Sequence, residues 1–131
     1  KEYIIYDSRV AYAIDWILLK TNASDKYFPI PEGRNSKLRA FDLSTLIRLK
    51  NISYLPQKKD NSKLIANMDK AIFIEKSKAY TEMCYIIKKV NALLWKDEKK
   101  EFPFYTEMLL FSLADTMIFD DIVQSCSLEI K

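Results

Sequence analysis

Three carboxylates and one turn are the positions where residue type and spacing could do chemistry. Asp7 follows the apolar stretch Tyr3-Ile4-Ile5-Tyr6 and stands where a helix begins. The positive end of a helix dipole keeps such a carboxylate ionised, so it can act as a base or stabilise a developing cation. Its ordinary task there is to accept a backbone N–H from the first turn. Glu107 and Asp115 stand at i and i+8 on a later helix. That spacing does not by itself make an acid–base pair, and solvent-facing or salt-bridged carboxylates fit it equally. Glu32-Gly33-Arg34-Asn35 reads as a turn with a polar cluster. Gly33 is expected there at positive φ, with Arg34 forking onto a phosphate or carboxylate, or closing onto Glu32 or Asp25. Tyr27, Phe28 and Glu32 make up a candidate ligand loop, with the two aromatics also expected to pin that loop to the core.

Much chemistry is excluded by composition. The 131 residues contain no His, one Gly and two Cys. Without His there is no Ser-His-Asp or Cys-His catalysis and no His-ligated zinc. With Gly33 alone, neither of the common glycine-rich phosphate loops can be written. Cys84 and Cys126 are too few for a disulfide framework, and a free thiol in a cytoplasmic setting is the expectation. No cofactor or metal is expected. The residues leave open whether the chain is an enzyme; a small hydrolase built on carboxylates and Tyr is the least favoured reading.

These residues need helices to position them. Asp7-Ser8 opens a helical pattern with Val10, Ile14, Ile17 and Leu18 on one face, and Asn22 and Ser24 mark its end. Residues 21–40 read as a long loop, because Pro29, Pro31 and Gly33 crowd together. Asp42 to Leu49 is a short helix. Residues 51–61, broken by Pro56, are irregular. Ser62 to Lys96 reads as two helices that part near Lys76-Ser77-Lys78. Pro103 suits the first turn of the next helix, whose apolar face is Phe104, Met108, Leu110 and Phe111. Thr116 to Val123 continues or restarts that helix, with Asp120 and Asp121 solvated, and residues 124–131 form a tail. The expected fold is all-α: about five helices in one orthogonal helical domain over residues 1–131, open to being part of a larger chain. No apolar run approaches the roughly 20 residues that span a bilayer, so no membrane partner is expected.

Charge is uneven. The chain carries 21 Lys and Arg against 18 Asp and Glu. The stretch from Arg34 to Lys63 holds eight basic residues and two acidic ones, a local excess of +6 that exceeds the net +3 of the whole chain. Arg34, Lys37, Arg39, Arg48, Lys50, Lys58 and Lys59 are therefore candidates for gripping phosphates. The competing reading is a solvated surface whose cations pair with the acidic C-terminal half.

Two segments resemble a known family. Tyr6-Asp7-Ser8-Arg9-Val10-Ala11 resembles the stretch around the catalytic Asp of helix-hairpin-helix DNA glycosylases, with an apolar residue before the Asp and a Val three residues after it. Phe102-Pro103-Phe104-Tyr105-Thr106-Glu107-Met108-Leu109-Leu110-Phe111 looks like the late helix of bacterial proteins with an 8-oxoguanine DNA glycosylase fold. The resemblance implies a C-terminal part of that fold, DNA bound through the basic 34–63 segment, and a base-excision role for Asp7 on a flipped base. Two departures weigh against excision by this chain. Tyr12 stands where the family commonly has Arg, and the family's hairpin with its catalytic Lys would precede residue 1. The alternative expectation is a non-catalytic helical domain that binds a protein partner or a missing N-terminal segment.

Overall fold

Asp7 opens the first helix as its residue type requires. Its Oδ1 accepts the Arg9 N–H at 2.8 Å, and helix α1 runs Ser8–Thr21. It closes at Asn22, which adopts the left-handed conformation at φ 54° and donates its N–H to the Leu18 and Leu19 carbonyls. In this computed structural model, residues 4–52 and 63–131 are described. The helices that follow are α2 (Ser36–Ala40), α3 (Leu43–Lys50), α4 (Leu64–Ile72), α5 (Lys76–Leu94), α6 (Phe104–Leu113) and α7 (Phe119–Ser125). A 3₁₀ turn at Glu98–Glu101 precedes α6, and a π-helical turn at Ala114–Ile118 joins α6 to α7. The fold is all-α, and no described helix is long and apolar enough to cross a membrane.

Helix α1 is the axis of the core. Val10, Ala11, Tyr12, Ala13, Ile14, Asp15, Trp16 and Leu19 are all buried, so apolar contact surrounds the helix instead of lying along one stripe. Of the face expected from periodicity, Ile17 is exposed. The small side chains Ala11 and Ala13 admit neighbours on the sides that the stripe left out. Val10, Ile14 and Phe28 pack with Met83 and Ile87 of α5 and with Leu110 of α6. Tyr12, Trp16 and Leu19 pack with Leu43 and Ile47 of α3, Met68 and Ile72 of α4, and Ile122 of α7.

Three sequence expectations shift. The loop expected over residues 21–40 ends earlier, because Asn35 caps α2 by accepting the Lys37 and Leu38 N–H groups. The break between α4 and α5 falls at Phe73-Ile74-Glu75, before Lys76, for a tertiary reason. Tyr27 pairs there in a parallel bridge, donating to the Ile72 carbonyl at 2.9 Å and accepting the Ile74 N–H at 2.8 Å. Phe73 is thereby held extended and the helix cannot pass through it. Asp121 is not simply solvated: it accepts the Trp16 Nε1–H at 2.8 Å and pairs with Lys20 at 2.6 Å.

Candidate functional site

Three of the five candidate cations among the described residues are committed to the fold. Arg48 forks onto Asp69, Nε to Oδ1 at 2.9 Å and Nη2 to Oδ2 at 3.0 Å, joining α3 to α4. Lys50 Nζ donates to the Leu19 carbonyl and to Asn22 Oδ1, closing the C-terminal end of α1. Lys37 Nζ donates to the Asp115 carbonyl and lies 5.1 Å from the centre of the Phe119 ring. Arg34 and Arg39 are exposed, and among the described residues neither guanidinium has a hydrogen bond or ion pair. Lys58 and Lys59 lie outside the described residues.

The candidate ligand loop divides in two. Tyr27 and Phe28 are buried at 4 % and 0 % exposure, so they have no face to offer a ligand; they pin the loop. Glu32 is exposed and, with Pro31, Gly33, Asn35 and Arg39, lines an open cleft of about 500 Å³ beside Ser8 and Tyr12. Gly33 does not take the expected positive φ. Close approach is what calls for a glycine here: a Cβ at this position would stand 2.5 Å from Ser8 Oγ. The cleft is mixed in charge, since Asp42 and Glu32 line it along with Arg39.

The three carboxylates do not converge on one centre. Asp7 is half-buried and is occupied as a cap. Glu107 accepts the Ile5 N–H at 2.9 Å, and burial raises its pKa, with the charge of Asp7 adding to the rise. Asp115 sits in the π-helical turn, where it accepts Asn35 Nδ2–H at 2.9 Å and faces Arg9 at 3.7 Å. It thus ties α1 and α2 to the end of α6. Among the described residues no cluster of acidic and Cys side chains is placed to hold a metal ion.

Two features escaped the pattern reading. The first is Asp15, fully buried in α1, whose Oδ1 accepts the Phe28 N–H at 2.8 Å. Its Oδ2 has no partner among the described residues, and burial pushes its pKa well above the usual carboxylate range. A signal for it existed: a lone carboxylate between Ile14 and Trp16 in an otherwise apolar run.

The second is the orientation of α6. Thr106 and Leu110 are buried, whereas Phe104, Met108 and Phe111 are 39 %, 61 % and 41 % exposed. Three of the four side chains expected on the core face therefore point outward. The buried polar anchor explains the choice. Asn91 Oδ1 on α5 accepts both the Thr106 Oγ1–H at 2.7 Å and the Thr106 N–H at 3.3 Å, while Asn91 Nδ2 donates to the Lys99 carbonyl. At the near end of this outward face stands an aromatic cluster. Phe104 stacks on Tyr105 at 4.2 Å between ring centres; Phe102 and Trp95 lie 6.4 and 6.1 Å from Tyr105. Asp97 and Lys99 pair at 2.9 Å beside it, with the Lys99 ammonium 5.8 Å from the Tyr105 ring centre. At the far end, Arg9 lies over the Phe111 ring at 4.5 Å and pairs with Asp115. Comparison of the chain with family models, with curated proteins and with solved structures finds no match.

Proposed function

We propose that the chain is a helical protein-interaction domain that docks another polypeptide on the outer face of α6. One observation carries this reading: on α6, where Glu107 is the sole charged side chain, Phe104, Met108 and Phe111 are exposed along one stripe. A contiguous exposed stripe of large apolar side chains is the mark of an interaction surface. The stripe runs about 10 Å along the helix axis. Its exposed aromatic and Met side chains, with Arg9–Asp115 and Lys99–Asp97 at its ends, have the composition of an interface core and polar rim. Side chains at i, i+4 and i+7 match the spacing by which one helix recognises another.

The test is a titration with synthetic amphipathic helical peptides bearing Leu at i, i+4 and i+7, followed by tryptophan fluorescence. Trp95 lies in the aromatic cluster, whereas Trp16 is buried beside Asp121. A saturable change that Met108→Glu abolishes is the expected result. No response to any such peptide would overturn the reading.

A second reading is DNA binding by a glycosylase-like chain, and Arg34 and Arg39 support it as exposed cations whose guanidinium groups have no partner among the described residues. It is the weaker of the two, because Arg48, Lys50 and Lys37 are spent on internal contacts and Asp7 caps α1. A salt-dependent gel shift that Arg34→Ala with Arg39→Ala reduces would support it. No shift at low salt would sink it.

A further inference from the structure

The cleft beside Ser8 and Tyr12 holds opposite charges that do not pair with each other. Glu32 stands on the loop before α2, Arg39 on α2 and Asp42 just before α3, and all three line the same space of about 500 Å³. Neither the Glu32 carboxylate nor the Arg39 guanidinium has a hydrogen bond or ion pair among the described residues. Asp42 accepts the Thr45 hydroxyl on Oδ2 at 2.7 Å, and its Oδ1 accepts nothing among the described residues. Elsewhere opposite charges close on one another, as Arg48 does with Asp69 and Lys20 with Asp121. The backbone that carries the three cleft charges is fixed around the space. The Tyr12 hydroxyl donates to the Phe41 carbonyl at 2.8 Å, tying α1 to the link between α2 and α3. The Tyr6 hydroxyl donates to the Pro29 carbonyl at 2.7 Å, and Gly33 lies against Ser8.

We infer that this cleft binds a free α-amino acid with a cationic side chain. One guanidinium and two carboxylates give the lining one net negative charge. A lysine-like zwitterion, with one carboxylate and two ammonium groups, answers all three. Arg39 forks onto the ligand carboxylate through two parallel N–H donors. Glu32 and Asp42 accept from the α-ammonium and the side-chain cation. The half-buried Ile30 and Leu38 line the same cleft and cover the aliphatic stem. Small-molecule sites of about 300–1,000 Å³ combine an apolar lining with a few placed polar groups in this way. A ligand with no carboxylate leaves Arg39 unmatched, and an anion meets Glu32 and Asp42 as like charges, so the lining selects against both. No residue of the α6 stripe lines the cleft, so the site is independent of docking at α6.

Gly33 lines the cleft and is the only glycine in the chain, so glycine-selective 15N labelling reads the site through one backbone amide. At constant ionic strength L-lysine should shift that resonance saturably. 1,5-Diaminopentane lacks the carboxylate and L-norleucine lacks the second ammonium; each should bind at least about 10-fold more weakly. Arg39→Gln should bring lysine down to the level of diaminopentane, and Glu32→Gln should weaken both. Both side chains are exposed, so circular dichroism should show the variants as helical as the parent. No saturable shift up to about 50 mM lysine would overturn the inference. So would equal shifts from lysine, norleucine and L-glutamate, or lysine bound as well by Arg39→Gln as by the parent. A shift with inorganic phosphate and none with lysine would overturn it in favour of the DNA reading of Arg39.

Discussion

Asp15 and Asn91 are the two buried polar residues whose satisfaction differs most. Asp15 has one oxygen bonded to the Phe28 N–H and one without a partner, and burial raises its pKa. A carboxyl group whose folded pKa is raised binds its proton more tightly in the native state than in the unfolded one. Its contribution to stability is complete below the unfolded pKa of about 3.9 and falls as pH rises through the folded value. Asp15→Asn removes that titration. The stability of the variant minus that of the parent should therefore increase with pH above about 4, as read from urea unfolding across a pH series. Parallel pH profiles for the two proteins would contradict it. Asp121 works in the opposite direction, because hydrogen bonds from Lys20 and Trp16 lower its pKa, but it is common to both proteins and cancels in the difference. Asn91, by contrast, is buried with both ends of its amide used. Replacing it with Leu takes away the buried acceptor of the Thr106 Oγ1–H and one of two donors to the Lys99 carbonyl, which keeps the Phe102 N–H. The expected loss is about 2–3 kcal/mol, measured by the same denaturant midpoint.

At the scale of elements, the loop before α2 is fitted to α1 by a single missing Cβ. Gly33 lies so close to Ser8 that a Cβ would meet its Oγ at 2.5 Å. Gly33→Val should destabilise the chain by about 1–3 kcal/mol through overpacking. Because the obstructing atom is a small side chain at the start of a helix, Ser8→Gly in the same chain should recover part of the loss. Additive effects of the two substitutions in thermal unfolding would show that the contact is not the cause. The junction of α4 and α5 follows similar logic: Tyr27 holds Phe73 extended through backbone bonds on both sides. The break is made by a strand-like partner from far along the chain, and no local Gly or Pro marks it.

For the molecule as a whole, the distribution of exposed apolar surface matters more than the net charge of +3. Lys37, Arg48 and Lys50 of the basic segment that stands out in sequence are tied into contacts within the fold, and the α6 stripe that reads as core is turned to solvent. Salt gives a further test at this scale. Docking of a helical peptide on the α6 stripe has an apolar centre with charges only at its rim, so raising salt from 50 to 500 mM should weaken it by less than about 10-fold. DNA binding through several phosphate contacts would fall by about 1,000-fold or more over such a change. Peptide titration and gel shift at the two salt concentrations separate the outcomes.

Local chemistry determined much of the chain. Asp7 at the start of α1 and Asn22 at its end were legible because capping depends on residue type and immediate neighbours. The all-α class followed from helical periodicity and the scarcity of Gly, which denies hairpins their turns. Tertiary structure alone decided which apolar residues are core. Periodicity reports apolar positions round most of α6, but it cannot choose among them. The Asn91–Thr106 hydrogen bonds, between residues on different helices, turn Leu110 inward and leave Phe104, Met108 and Phe111 outside. The same holds for the cations: Arg48 and Lys50 find Asp69 and the end of α1 only once the helices are packed. A sequence records that a charge is present, whereas its partner is set by distance in space.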